Sequence, residues 1–320
     1  MLYVDGGAPP QELLVTISVQ GLHVAYGKKS VLHHVNLHAG SGRVLGIIGP
    51  NGCGKSTLIK AIAGLLPAQG DIRFHGDTQR PRAIGYMPQD SQAVPALTVL
   101  EVVLLGRIAQ LHLKVHNDDL SAVSQTLESL GIGALAPLRI SDISGGQRQL
   151  VYLAQALVAQ PRYLLLDEPT SALDISHQLE VLAFVRGITH ARGLTTVMVL
   201  HDLNAAARYC DHIALLSEGR VVRCDAAARV LGRDAVSEVF DVETESLRCS
   251  DGIEVLVAIR KNPGSDGSGN IVRTTTKLFC ISAPVMPPSV REYPERKQLP
   301  EARDFVRLLR RGPSCLWLIP

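Results

Sequence analysis

Residues Gly49 to Thr57 read GPNGCGKST, and their setting constrains this chain more than any other stretch. They follow a continuous apolar run, Val44 to Gly49 (VLGIIG), and lead into a periodic stretch from Ser56 to Leu66 that reads as a helix. G-x-x-x-x-G-K-[ST] between a strand and a helix is the sequence form of a phosphate-binding loop. Glycines let the backbone curl so that successive N–H groups face phosphate oxygens, and the helix adds the positive end of its dipole. Lys55 is then placed to neutralise charge on the β and γ phosphates, and Ser56 to offer its hydroxyl to Mg²⁺. The competing reading is a glycine-rich turn with an exposed lysine, which does not call for this strand-loop-helix context.

Such a loop belongs on a parallel sheet, and the rest of the chain supplies one. Tyr163 to Asp167 (YLLLD) and Thr195 to Leu200 (TTVMVL) are further apolar runs suited to central strands buried on both faces. Helix-like stretches lie between them: Leu97 to Leu113, Leu120 to Leu130, Gly145 to Ala159 and Ser176 to Ala191. Strands alternating with helices predict an α/β fold with a covered parallel sheet. Leu13, Val15, Ile17 and Val19 alternate as in a half-buried strand. From about Pro88 to Gln160 no good strand candidate occurs, which predicts an inserted helical subdomain. With 320 residues and 46% hydrophobic content the chain can bury a large core.

Both ends differ from this middle. Residues 1–12 read as a loose leader. After Arg260, Asn262 to Asn270 (NPGSDGSGN) reads as a linker, and residues 261–320 hold 8 of the 18 prolines. Residues 1–260 carry 22 basic and 25 acidic side chains, and residues 261–320 carry 10 and 5, so the net charge of +2 is made by the tail. That balance argues against a dedicated nucleic-acid binder. Arg303 to Arg311 is basic and amphipathic if helical, although a poorly ordered extension is the favoured reading. No run of 18 uncharged apolar residues is present, and Met1 to Glu12 lacks the pattern of a signal peptide. Six scattered cysteines without a CxxC favour a reducing compartment, with cytoplasm the default.

Three more features carry chemistry. Asp167 and Glu168 end a buried run, and an acidic pair there needs a cation or hydrogen-bond donors. Beside the phosphate loop, Asp167 is placed to hold Mg²⁺ through water, and Glu168 to take a proton from an attacking water. Ser144 to Gln147 (SGGQ) has capping-box spacing, and its two glycines leave backbone N–H groups open to a second anion. His33, His34 and His38 have no carboxylate or cysteine nearby in sequence, and they read as solvated strand faces rather than metal ligands.

Taken together these residues resemble the ATP-binding subunits of ABC transporters, over about Val15 to Arg260. GPNGCGKST is similar to the Walker A motif, YLLLDEPT (Tyr163 to Thr170) to Walker B, and ISGGQRQ (Ile143 to Gln149) to the signature. YMPQD supplies a Q-loop Gln89, SALD a D-loop Asp174, and VLHDLN a switch His201. The resemblance implies a P-loop NTPase (RecA-like) core with an antiparallel β subdomain and an inserted helical subdomain. It implies a dimer that sandwiches two ATP molecules. The Walker A residues Gly49, Pro50, Asn51, Gly52, Cys53, Gly54, Lys55, Ser56 and Thr57 of one subunit then face Ser144, Gly145, Gly146 and Gln147 of the other. Tyr26 falls where the family stacks an aromatic ring on adenine. Gln89 would touch Mg²⁺ and the attacking water, His201 the γ-phosphate, and Asp174 would organise the opposite site.

Within the family, LDISHQLEVL, the Gly106–Arg107 pair and the stretch from His201 to Val222 are similar to ferric siderophore, haem and cobalamin uptake ATPases. That implies integral membrane permease subunits as partners, an extracytoplasmic substrate-binding protein acting indirectly, no nucleic acid, and a peripheral place on the cytoplasmic face of the inner membrane. A soluble scaffold or assembly ATPase is the second reading. A tandem protein acting on nucleic acid or ribosomes is disfavoured by the single Walker A and signature. Three residues depart from the family pattern: Ile143 for leucine, Leu150 where relatives often carry arginine, and Cys53 within the loop. Its place at a helix N-terminus leads to the expectation of a lowered thiol pKa and of protection from alkylation by ATP.

Overall fold

The core strands form where apolar runs are long enough to be covered on both faces. A computed structural model of the chain describes residues 15–81, 84–89, 96–108, 115–248 and 254–261. The leader, the end of the Leu97–Leu113 stretch and the tail with Arg303–Arg311 lie outside them.

The first unit begins with β1 (Val15–Tyr26) and β2 (Lys29–Gly40), which pair antiparallel and, with β4 (Gln69–Phe74), make a three-stranded sheet ordered β2-β1-β4. Along β1 the buried face changes phase. Ile17 and Val19 are buried, and after a register shift so are Leu22 and Val24. A bulge inserts one residue and moves the apolar set from odd to even positions.

The second sheet has six strands. These are β3 (Arg43–Ile48), β5 (Ile84–Met87), β6 (Tyr163–Asp167), β7 (Thr195–Val199), β8 (His212–Ser217) and β9 (Arg220–Ala226), in the order β5-β6-β7-β3-β8-β9. The first five are mutually parallel and β9 is antiparallel to β8. Every residue of β6 and β7 is buried, which explains the apolar stretches Tyr163–Leu166 and Val197–Val199 at their centres. Helix α1 (Lys55–Ala63) packs on β6 and β7, while α5 (Ile175–Arg192) and α6 (Leu203–Tyr209) pack on β3.

Between β5 and β6 lie α2 (Val99–Leu105), α3 (Asn117–Ser129) and α4 (Gly145–Leu157), which pack on one another. Among the described residues of this insertion there is no strand, only an isolated bridge between Thr98 and Arg139. α2 is shorter than its apolar run suggests, because the chain turns at Gly106. Arg107, half of the pair singled out in the sequence, ties the helices together. Its Nε meets Asp119 Oδ1 at 3.0 Å and its Nη1 donates to the Val158 carbonyl at 3.3 Å. The unit closes with α7 (Ala227–Val230).

Within the span read as one ATPase domain, packing sets apart a second unit beginning at Leu231. It holds α8 (Arg233–Phe240) and an antiparallel hairpin of β10 (Val242–Arg248) and β11 (Glu254–Lys261), joined by an Arg260–Glu243 ion pair at 2.5 Å. Among the described residues no helix is long and apolar enough to cross a membrane.

Candidate functional site

Strand register gathers the site. Ile47 of β3 and Asp167 of β6 both align with Val199 of β7, and Met87 of β5 aligns with Leu166. Gly49, Glu168, His201 and Gln89 therefore follow neighbouring strands off the same carboxyl edge, the edge where open α/β sheets bind ligands.

The loop after β3 is held tightly. A Cβ added at Gly49 would lie 2.0 Å from the Leu216 carbonyl oxygen, so only glycine fits there. Gly54 caps α1 with φ 109°, and Leu58 N–H donates to its carbonyl at 2.9 Å. Lys55 is buried, and its ammonium donates to the carbonyls of Gly49 at 2.8 Å and Pro50 at 2.9 Å. These bonds satisfy a charge that would otherwise be costly to bury.

Ser56 donates through Oγ to Asp167 Oδ1 at 3.0 Å, which joins the loop to the acidic pair. Asp167 is fully buried (0% exposed), and its Oδ2 has no hydrogen-bond partner. Burial pushes its pKa up, against the opposing pull of the Ser56 hydrogen bond. Glu168 is also buried, adopts φ 53°, and its Oε1 lies 2.5 Å from His201 Nε2. A left-handed backbone at a non-glycine residue costs about 1–3 kcal/mol and persists only where the surroundings impose it.

The Ser56–Asp167 and Glu168–His201 contacts thus meet through the adjacent residues 167 and 168, with Lys55 next to Ser56 in the chain, and the five residues form one group. Among the described residues no hydrogen bond or ion pair joins Gln89, Tyr26, Asp174 or the Ser144–Gln147 turn to it. Gln89 is exposed beyond β5, and Tyr26 is 50% exposed at the end of β1. Ser144 is the N-cap of α4. Its Oγ accepts from Gln147 N–H at 3.2 Å, and Gln147 Oε1 accepts from Ser144 N–H at 2.9 Å, a complete capping box. Asp174 caps α5 by accepting from His177 N–H at 2.9 Å, and the same contacts with His177 lower its pKa. Ile143 is buried, as its apolar side chain requires.

Cys53 corrects the sequence expectation. Its thiol is buried and its pKa is raised: burial outweighs the opposing pull of Lys55 and of the backbone N–H groups. Gln149 is a residue that reading the motifs one by one missed. It is buried, and its carboxamide bonds the chain just after β6 at three points. The available signal was a polar side chain on the buried face of α4, in step with Leu153 and Ala156.

Residues 32–171 match the ABC transporter family. The hemin import ATP-binding protein HmuV of Pseudomonas entomophila (strain L48) is 40% identical over 240 residues, spanning 71% of this chain and 93% of its own length. This chain belongs to the ATP-binding subunits of ABC transporters. The ferric enterobactin transport ATP-binding protein FepC of Escherichia coli (strain K12) is 34% identical over 248 residues, spanning 74% of this chain and 90% of its own. Among solved structures, an inward-facing metal-chelate type ABC transporter superposes with a TM-score of 0.70 at 28% identity, covering 77% of this chain and 98% of that one. As an ABC transporter ATP-binding subunit the chain binds ATP and hydrolyses it.

Proposed function

We propose that this ATPase powers uptake of an iron–siderophore or a related metal chelate, haem and cobalamin included. It would work as a homodimer docked on integral permease subunits at the cytoplasmic face of the inner membrane. An extracytoplasmic binding protein would deliver the chelate. Residues 13–260 would carry this work. The group of Lys55, Ser56, Asp167, Glu168 and His201 at the carboxyl edge of the sheet is the observation that supports the reading most strongly.

The residues fit Mg²⁺. The partnerless Asp167 Oδ2, fully buried, and the Ser56 hydroxyl are hard oxygen donors, the kind this ion selects. When bound, the ion neutralises charge on the phosphate oxygens. Lys55 and the backbone N–H groups from Asn51 to Thr57 hold the β and γ phosphates. Glu168, fixed against His201, accepts the proton of the attacking water, and His201 contacts the γ-phosphate. Gln89 orients that water, and Tyr26 offers an exposed ring to adenine. In the dimer Ser144, Gly145, Gly146 and Gln147 of one subunit close on the partner's γ-phosphate, with Asp174 beside them. Nucleotide then acts as a ligand of the closed dimer, and hydrolysis removes the group that held it. A soluble assembly role is not favoured, since HmuV and FepC are import and transport subunits.

The test is phosphate release by the full-length chain. Lys55→Ala should weaken nucleotide binding. Glu168→Gln should keep binding, trap an ATP-dependent dimer, and slow hydrolysis by roughly 10²–10⁴-fold, the usual worth of a general base. Hydrolysis by Glu168→Gln at the wild-type rate would remove Glu168 from this role. Copurification with soluble partners alone would remove the transport role.

A further inference from the structure

The turn that carries Glu168 is gripped from both sides by buried or part-buried amides. From α4, Gln149 Nε2 donates to the Glu168 carbonyl at 3.2 Å and to Ser171 Oγ at 2.8 Å, and its Oε1 accepts from Ala172 N–H at 3.1 Å. From α5, Gln178 Nε2 donates to the carbonyls of Thr170 at 3.1 Å and Leu173 at 2.9 Å. Within the turn, Ser171 N–H reaches the Glu168 carbonyl at 3.3 Å. The start of α4 also lies close: a Cβ on Gly146 would sit 3.0 Å from Leu173 Cδ2 and 3.3 Å from the Ala172 carbonyl oxygen.

This arrangement answers a question set by the backbone. Glu168 stands at φ 53°, a conformation that an isolated glutamate disfavours, so something must hold its peptide in place. The Glu168 carbonyl is held by Gln149, a residue only 7% exposed. Gln149 uses both of its N–H donors and its carbonyl on one seven-residue turn, Glu168 to Asp174, and on nothing else among the described residues.

We infer that Gln149 is a positioning residue for hydrolysis: through the Glu168 carbonyl and the Ser171–Ala172 turn it sets the carboxylate of Glu168, and it ties that setting to the first turns of α4. The inference rests on the reading of Glu168 as the base. Because α4 opens with the Ser144–Gln147 turn, a shift of that helix on the neighbour's nucleotide is transmitted to the base of its own chain through one carboxamide. A misplacement of about 1 Å at a reacting group is worth as much as 10²-fold in rate.

The test uses the full-length chain with Gln149→Met, which keeps the shape and removes all three bonds, and Gln149→Glu, which can still accept from Ala172 N–H and from the Ser171 hydroxyl but loses the donor to the Glu168 carbonyl. Both should lower kcat by about 10–100-fold with KM and ATP affinity within about twofold of wild type. The decisive readout is single-turnover hydrolysis of Gln149→Met combined with Glu168→Gln. A residue that acts through Glu168 adds no further loss once the carboxylate is gone. Multiplying losses in the double variant, or a kcat unchanged in both single variants, overturns the inference. So does a fall of ATP affinity and melting temperature with a matching rise of KM, because that is loss of the fold. If Gln149→Met does not fold, Gln149→Glu decides alone by the same measures. Failure of the underlying reading looks different: Glu168→Gln itself would then hydrolyse ATP at the wild-type rate, whatever the Gln149 variants do.

Discussion

Asp167 and Asp211 both stand where a strand of the six-stranded sheet meets a loop, but on opposite edges. Asp167 ends β6 at the carboxyl edge, fully buried, with one oxygen bonded to Ser56 and the other without a partner. Asp211 precedes β8 at the amino edge, with its side chain 7% exposed. It accepts from Val44 N–H at 2.8 Å and lies 3.0 Å from His190 Nε2, 3.5 Å from Arg43 Nη1 and 3.7 Å from Arg186 Nη2. Burial acts on both carboxyls in the same direction, upward. At Asp167 it prevails, whereas at Asp211 the Val44 N–H, His190 and Arg186 outweigh it and hold the pKa low. One edge of the sheet has its charge fully matched and gains stability. At the other, Ser56, Lys60 and Lys55 offset burial only in part, and one carboxylate oxygen is left without a hydrogen-bond partner.

The comparison breaks most sharply on Asp167→Asn. Hydrolysis should fall by at least roughly 10²-fold, since the carboxylate beside the phosphate loop is lost. The nucleotide-free protein should nevertheless melt higher, because a carboxylate whose burial outweighs its compensating contacts is gone. An unchanged or lower melting temperature would mean that Asp167 is better matched than its contacts indicate. Asp211→Asn should do the reverse. It should lose about 1–3 kcal/mol of stability, as expected for a buried carboxylate's charge-assisted hydrogen bonds, with ATP turnover within about twofold of wild type.

The two sites also differ in the sign of their pH dependence. Asp211 is depressed in the folded state, so its contribution is present above the unfolded carboxyl value, about pH 4, and is lost as pH falls through the lower folded value. Asp167 is raised, so the folded state holds its proton more tightly, and stability declines as pH climbs through the raised value. Melting curves of Asp211→Asn below about pH 4 should therefore be flatter than those of wild type. The smallest effect concerns Cys53. As a buried thiol of raised pKa it should react slowly with iodoacetamide in the folded protein, and MgATP should change that rate by no more than about twofold. Rapid labelling that ATP suppresses would restore the helix-terminus expectation.

What the amino-acid order made legible was whatever is local and continuous. Gly49 to Thr57, the runs of β6 and β7 buried on both faces, and the capping box at Ser144 and Gln147 each carry their reason within a few residues. What stayed hidden depends on partners far along the chain. Asp211 meets Val44 across 167 positions, and the register shift in β1 answers to pairing with β2. β5 is four residues long and includes a glycine, too short for a period to declare itself. At Cys53 two physical effects oppose each other, and only packing shows that burial outweighs the helix terminus.

The left-handed backbone at Glu168 has a consequence for any search through variants. Asparagine and glycine tolerate that conformation better than glutamate, and neither offers a carboxylate to a water molecule. A library sorted for heat resistance alone would therefore drift at position 168 toward relaxed proteins that, on the role proposed for Glu168, are idle. The glutamate is held there only by a sorting criterion that counts turnovers.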